Sequence, residues 1–495
     1  MSGPAAVRVR MYQVGFGDCF LVSFEYPGEV PGERHMLIDF GRRYKPHAGG
    51  DMLKVAKDIK SRTGGRLDVV VVSHRHQDHL SAFGSSGPAQ LIEDCDPRLV
   101  VRSWTEDPLA PEIAPGHALA GHGAAGPSLT AADRRFVAAL GAASDLAEEI
   151  AGSRFALERT AVGRSLQRFA FGEVENLAAV TRLNTWSAPE KGAYLSFGSG
   201  ALTNVLPGVD IEVLGPPTVQ QYPAIAGEAK TDPDYWLSLR RQLPVALEVV
   251  ADGAAPGDTE IEAGPLDIAA QAGIDDPGSD IETAGVPGLA TAPDAGVPRS
   301  MRPEEEGHAS DAPAPGAIGP VRWLTEKVRK QQVASLLRIV RSLDAVLNNT
   351  SLILLIRAGD RRLLFPGDAQ IENWRYALAA LPNAAERDRI RDELAQVDLY
   401  KVGHHGSRNA TPRTLYRLWA PYGKPDRTVV SMLSSKEGEY DATVATAVPL
   451  VKMMKALDRA PRRLVSTLQD PDNPDPTPFR EVFAPTTGGV PFEDV

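Results

Sequence analysis

An apolar run that stops abruptly at a group of histidines constrains the fold more than any other feature of this sequence. Residues 67–72 are almost continuously apolar and contain four consecutive valines. Such a run predicts a strand that is buried on both faces, as in a sheet covered by helices. The sequence therefore indicates an α/β fold.

The histidines begin directly after this predicted strand. Three imidazoles and one carboxylate fall within six residues, at His74, His76, Asp78 and His79. Nitrogen and carboxylate donors together suit zinc or manganese. Histidines this close repel one another when protonated, so packing alone does not explain the group; the alternative is a solvated polar turn. The spacing predicts that His74 and His76 point at one metal ion, while Asp78 and His79 turn toward a second.

Two further groups of metal-binding residue types follow predicted strands. Asp368 comes after the strand predicted at residues 362–365, and His404 with His405 comes after the one predicted at 398–402. Taken alone, an aspartate after glycine indicates a turn, and a doubled histidine is more often on the surface. Because all three groups lie at C-terminal strand ends, we expect one shared site in which Asp368 bridges two metals.

The remaining local patterns complete the α/β prediction. Strands are predicted at residues 8–14, 19–24 and 36–38, with turn chemistry at 15–18 and a hairpin formed by 351–356 and 362–365. Helices are predicted after Asp51, at 128–150 with Thr130 as N-cap, and at 235–250, 321–347 and 443–457. The only two cysteines, Cys19 and Cys95, exclude a disulfide scaffold and a cysteine-based zinc ribbon. Lys401 and Arg408 flank the last histidines, where such charges are usually solvated.

Residues 252–320 differ in composition from the rest of the chain. They contain no aromatic residue, ten prolines, eleven glycines, and fourteen acidic residues against two basic ones. This segment cannot bury enough apolar surface to offset the entropy of ordering, which predicts a disordered acidic insertion. The formal net charge of the chain is −11, of which the insertion contributes −12. The remainder of the chain is close to neutral, so its net charge does not exclude an anionic substrate.

The motifs together resemble the metallo-β-lactamase superfamily. His74 to His79 match its HxHxDH signature, and Asp39 matches its early aspartate. The closer resemblance is to the soluble metallo-β-lactamase domain of ComEC-type competence proteins, through residues 14–19, 349–354, 366–368 and 402–407. The resemblance implies a four-layer αββα sandwich whose first part is 6–251, with a helical elaboration, and whose second part is 321–468. The insertion at 252–320 separates them, and an irregular tail is predicted at 469–495.

The resemblance also implies a ligand set. His74 and His76 would bind one metal, Asp78 and His79 the other, and Asp368 would bridge them, with His404 or His405 as the last ligand. The middle histidine of the superfamily has only His117, His122 and His308 as candidates, and His308 falls in the insertion. The expected cofactors are two divalent ions, zinc or alternatively manganese, with single occupancy as a further alternative.

These assignments predict a metal-dependent hydrolase that uses a metal-activated hydroxide, with Asp78 and Asp368 as catalytic residues. The leading substrate is a phosphodiester or another anionic ester, whose oxygens Ser407 and Asn349 would bind. The alternatives are a lactone or amide hydrolase, and a degenerate, non-catalytic partner protein.

The expected partner is a small-molecule or nucleotide-like anionic substrate. A protein partner bound through the acidic insertion is possible, and nucleic acid is possible but not indicated. The sequence has no apolar run near ~20 residues, which excludes a membrane-spanning protein. Its first ten residues lack the apolar stretch of a secretory signal, and cysteines are few. We therefore expect a cytoplasmic protein without membrane contact.

Overall fold

The computed structural model describes most of the chain outside the acidic region. The described residues are 3–28, 32–43, 51–108, 110, 118–120, 125–152, 176–187, 191–199, 205–227, 234, 346–423, 426–436, 448–468 and 478–495. They belong to one compact unit, Met1–Gly253 with Arg329–Val495. The predicted insertion at 252–320, the predicted helices at 235–250 and 321–345, and three histidines lie outside the described residues: His117, His122 and His308.

Strands and helices occur in both halves of the described chain. The strands are, in chain order, β1 Ala6–Tyr12, β2 Cys19–Glu25, β3 Glu33–Phe40, β4 Val69–Val72, β5 Leu99–Ser103, β6 Ala118–Ala120, β7 Ala125–Ser128, β8 Gly192–Leu195, β9 Val209–Gly215, β10 Ile353–Ala358, β11 Arg361–Phe365, β12 Leu399–Lys401, β13 Val430–Leu433, β14 Arg463–Ser466, β15 Phe479–Pro485 and β16 Glu493–Asp494. The α-helices are α1 Met52–Arg62, α2 Gln77–Gly84, α3 Ser86–Glu93, α4 Ala131–Gly152, α5 Asn176–Trp186, α6 Ile371–Arg375, α7 Ala384–Leu394, α8 Arg413–Trp419 and α9 Val451–Leu457. Short turns of 3₁₀ helix lie at Trp104–Glu106, Pro223–Ala226 and Gly403–Gly406, and a π turn lies at Tyr376–Ala380.

Two mixed sheets contain most of these strands. The first has the order β16-β15-β1-β2-β3-β4-β5-β8, antiparallel from β16 to β3 and parallel from β3 to β8. The second has the order β14-β13-β12-β11-β10-β9, parallel from β14 to β11 and antiparallel from β11 to β9. The predicted hairpin is confirmed as β10 and β11, and β6 pairs separately with β7.

Burial of β4 explains its four valines. Val69 and Val71 join a hydrophobic cluster shared by both sheets, in which Leu354 of β10 is also buried. Val70 and Val72 point the other way and pack in a cluster with Ile59 of α1 and residues of α2, α3 and α5. On the second sheet, a further cluster joins β10, β11 and β12 to α6, α7, α8 and α9. The predicted strand buried on both faces is therefore confirmed, and so is the mixed α/β class.

Helix ends follow the capping residues that the sequence offers. The carboxylate of Asp51 accepts a hydrogen bond from the backbone N–H of Leu53 at the start of α1. The hydroxyl of Thr130 accepts one from the backbone N–H of Asp133 at the start of α4. Both predicted N-caps are confirmed. The last predicted helix, 443–457, is observed over α9, and residues 443–447 lie outside the described residues.

The C-terminal segment is a correction to the sequence prediction. Residues 469–495 were predicted to be irregular, but β15 pairs with β1 along its whole length and β16 pairs with β15. Val482 and Ala484 are buried in the core, and Glu481 accepts hydrogen bonds from Arg8 at 2.8 Å and from Arg10 at 2.5 Å. The Asp- and Pro-rich residues before β15 favoured an irregular tail, and the sequence of β15 itself does not alternate. Within the described chain, no helix is long and apolar enough to cross a membrane.

Candidate metal centre

The ends of several strands bring acidic and histidine side chains together. His74 follows β4, Asp368 follows β11, and His405 follows β12. The Nε2 atom of His79, on α2, lies 3.1 Å from Oδ2 of Asp368. The Nε2 atom of His405 lies 2.9 Å from Oδ2 of Asp78 and 3.4 Å from Oδ2 of Asp368. Four of the predicted ligands therefore meet in one buried cluster.

Asp18 also belongs to this cluster, and sequence reasoning missed it. One ligand atom each from Asp18, His79, Asp368 and His405 lies within 4.8 Å of all the others. Asp18 is held there by its backbone N–H, which donates to the carbonyl of Asp78 at 2.9 Å. In the sequence, residues 15–18 predict a turn, and no ligand role was assigned to Asp18. Its place among the motifs of the family resemblance was the available signal.

Outer hydrogen bonds fix which nitrogen of each imidazole faces the cluster. Nδ1–H of His79 donates to Oδ2 of Asp39 at 2.8 Å, and Nδ1–H of His405 donates to the carbonyl of Ser434 at 3.0 Å. Asp39, the predicted early aspartate, thus orients a ligand from outside. The Nε2 atoms are left to face carboxylates, an arrangement that needs a cation or a proton between them.

The ionisation of the cluster follows from the same contacts. Burial alone lowers the pKa of His79 and His405, but the surrounding carboxylates together outweigh it, Asp368 contributing most among them, and both pKa values are raised. Burial likewise acts to raise the pKa of Asp78 and Asp368, and the neighbouring imidazoles lower both pKa values below the ordinary range. The carboxylates are therefore ionised at neutral pH. Without a metal, protons on the imidazoles compensate part of their charge.

Lys401 supplies the fixed positive charge of the site. It was expected to be solvated, but it is buried and forms ion pairs with Asp18 and with Oδ1 of Asp368, the latter at 3.3 Å. Its ammonium also donates to the carbonyl of Gly367 at 3.0 Å. With Asp39 and Asp78, the cluster has four buried carboxylates, and the Lys401 ammonium contacts two of them. Buried charge of this kind must be compensated by further cations or by protons.

His404 and His405 occupy different places, although they are adjacent. Both adopt the left-handed backbone conformation, with φ of 43° and 48°, which non-glycine residues rarely adopt outside functional or tightly held sites. His405 faces the carboxylates, whereas Nε2 of His404 lies 3.5 Å from Nδ2 of Asn348. The backbone N–H of His404 donates to Oδ1 of Asp368 at 3.0 Å. The geometry therefore favours His405 as the ligand shared with Asp78.

His74 and His76 form a second group beside the first. Nε2 of His74 lies 2.9 Å from Nδ1 of His76, and that Nδ1 lies 3.0 Å from Oδ1 of Asn348. Burial, with the nearby His79, lowers the pKa of His74 well below its ordinary value, so this imidazole is neutral and able to bind a metal.

The two predicted substrate-binding residues are engaged in protein contacts. The hydroxyl of Ser407 donates to Oδ1 of Asn409 at 2.7 Å. The amide of Asn349 donates to the carbonyl of Gly227 at 3.0 Å and to Glu372 at 3.4 Å. These contacts give both residues a structural role.

The donor set fits divalent metal. Imidazole nitrogens with carboxylate oxygens are the ligands of catalytic zinc sites, and the hydrogen bonds to Asp39 and Ser434 are the outer partners such ligands require. Among known proteins, no family model matches the chain and no curated protein matches it significantly.

Proposed function

We propose that this chain is a metal-dependent hydrolase with a four-layer αββα metallo-β-lactamase fold. The observation that carries the proposal is the convergence of the Nε2 atoms of His79 and His405 on the carboxylates of Asp78 and Asp368. Support for the layers comes from the core shared by the two sheets and from the helices packed on their opposite faces. Support for the family comes from the sequence motifs.

The residues divide into two ligand groups. Asp78, His79 and His405 would hold one divalent ion, zinc or manganese, and His74 with His76 would hold the other, with Asp368 between them. When bound, such a pair of ions would lower the pKa of a bound water molecule and polarise an ester oxygen of the substrate.

The protein positions these ligands through contacts around them. Oδ1 of Asp368 accepts hydrogen bonds from Lys401 and from the backbone N–H of His404, which turns Oδ2 toward His79 and His405. Asp39 holds His79 and also accepts hydrogen bonds from the backbone N–H and the hydroxyl of Ser73. A site fixed in this way needs little rearrangement when a substrate binds.

The substrate class we propose is a phosphodiester or another anionic ester. Outside the acidic insertion the chain carries a formal charge of about +1. The net charge of this part of the protein therefore does not repel an anionic substrate. The ligand group around His74 and His76 would face the same substrate as the group around His405. A small-molecule or nucleotide-like ester satisfies this description.

Metal analysis with paired hydrolysis assays tests the proposal. The purified protein should contain zinc or manganese and should hydrolyse bis(p-nitrophenyl) phosphate faster than a panel of lactones. Asp78→Ala should lose both the metal and the activity. Asp94→Ala, which removes an exposed carboxylate paired with Lys60, is the matched control and should behave like the wild type.

One result would contradict the proposed substrate class, and another would contradict an enzymatic function. Faster hydrolysis of lactones would favour a lactone or amide hydrolase. Absence of metal and activity, with Asp78→Ala indistinguishable from the wild type, would contradict the enzyme and leave a non-catalytic partner protein.

A further inference from the structure

Asn348 lies between His76 and His404, two histidines outside the main cluster. It is buried, with Oδ1 3.0 Å from Nδ1 of His76 and Nδ2 3.5 Å from Nε2 of His404. Nε2 of His74 approaches the same Nδ1 of His76 at 2.9 Å. Nδ1 of His76 therefore lies within hydrogen-bonding distance of two other potential ligand atoms, Nε2 of His74 and Oδ1 of Asn348.

Hydrogen bonds among these side chains cannot satisfy all three atoms at once. The hydroxyl of Ser73 donates to Asp39 at 2.8 Å, so it accepts from Nδ1–H of His74 at 3.1 Å. Nε2 of His74 is then a bare lone pair directed at His76. Nδ1 of His76 carries at most one hydrogen, which it can donate to His74 or to Oδ1 of Asn348. A cation held among the three atoms would satisfy all of them.

We propose that Oδ1 of Asn348 is the third protein ligand of the His74–His76 metal position, where the superfamily uses a middle histidine. The inference rests on the proposed function and adds a residue to its site. An amide oxygen is a harder and weaker ligand than imidazole for zinc, and carbonyl oxygens suit manganese. The two metal positions are therefore unequal: the one around Asp78, His79 and His405 binds first and prefers zinc, and the Asn348 position binds second and accepts manganese.

Calorimetric titration of metal-free protein with Zn²⁺ and with Mn²⁺ tests this inference without any substrate. The wild type should show two binding events, the second at least ~10-fold weaker for zinc. Asn348→Ala should weaken the second event by a further ~10-fold or more and leave the first unchanged. Asn348→His should bring the second zinc event toward the first, which a merely structural asparagine would not do.

Two controls make the comparison specific. Asn383→Ala removes an exposed amide that caps α7 and should titrate like the wild type. The double variant His117→Ala/His122→Ala tests the two histidines outside the described residues, and it should keep both events.

The inference is overturned if Asn348→Ala keeps the wild-type second event, if the wild type shows a single event, or if the double histidine variant loses the second one. Failure of the proposed function is distinguishable. Two binding events, of which only the second depends on Asn348, with no hydrolysis of any ester, would contradict only the enzyme proposal. An active hydrolase whose second event ignores Asn348 would lose only this inference.

Discussion

Replacing Gly41 by alanine should displace Asp78 and His79, the proposed metal ligands of α2. Gly41 follows β3 and lies against the backbone of Asp78 and His79. A Cβ atom at this position would lie 2.5 Å from the carbonyl carbon of His79 and 2.5 Å from the backbone nitrogen of Leu80, whereas ordinary contacts begin at 3.4 Å. The two segments must therefore separate by about 0.9 Å, beyond the ~0.5 Å within which functional groups have to be held.

The expected result is a zinc affinity at least ~10-fold lower, with a loss of about 1–3 kcal/mol in the free energy of unfolding from overpacking. Competition with a chromophoric chelator measures the first quantity, and urea denaturation measures the second. Gly141→Ala is the matched control, because a Cβ atom added at this position of α4 would have no other atom within 4 Å. That variant should gain about 0.5–1 kcal/mol and keep its zinc affinity. Wild-type zinc affinity and stability in Gly41→Ala would refute the reasoning.

Three further predictions concern stability. Burial, only partly opposed by Glu33, lowers the pKa of His35 to about 4, so the unfolded chain takes up its proton first as pH falls from 6.5 to 4. Stability should drop by up to about 3 kcal/mol through this group over that window, and urea titrations should show a smaller drop in His35→Gln. Leu355→Ala removes a fully buried side chain of β10 and should cost about 2–5 kcal/mol by denaturant titration, with metal content unchanged. Zinc at ~100 times its Kd should stabilise the wild type by about 2.7 kcal/mol in thermal melts, and an equal shift in Asp78→Ala would contradict binding at this site.

The parts of the fold that were predictable from sequence are those with local signals. The valines of β4 pack on both faces of one sheet, so an apolar run without alternation was sufficient to identify the strand. The hairpin of β10 and β11 needed only two apolar runs and a Gly-Asp turn. For β15, the deciding contacts are with β1 at the other end of the chain, and no local pattern near Glu481 reports them.

In the site, too, residues in a compact motif were predictable from sequence, whereas residues whose role depends on distant contacts were not. His74 to His79 form a compact motif, and their place after β4 predicts a metal site without knowledge of the rest. Lys401 has no such motif, because its burial depends on Asp18, a residue that precedes it by hundreds of positions. Asn348 carries no signal of its own either, since an asparagine becomes a candidate ligand only when two histidines lie beside it.

The pairing of β15 with β1 has a consequence for synthesis on the ribosome. Arg8 and its partner Glu481 are separated by 473 residues. At a translation rate of ~5–20 residues/s, β15 is synthesised roughly 25 to 95 s after β1. During that interval one edge of β1 offers unpaired backbone groups to any other extended chain. We expect nascent chains to need a chaperone that covers this edge. We also expect a fragment that ends before β15 to aggregate, even though it contains every proposed metal ligand.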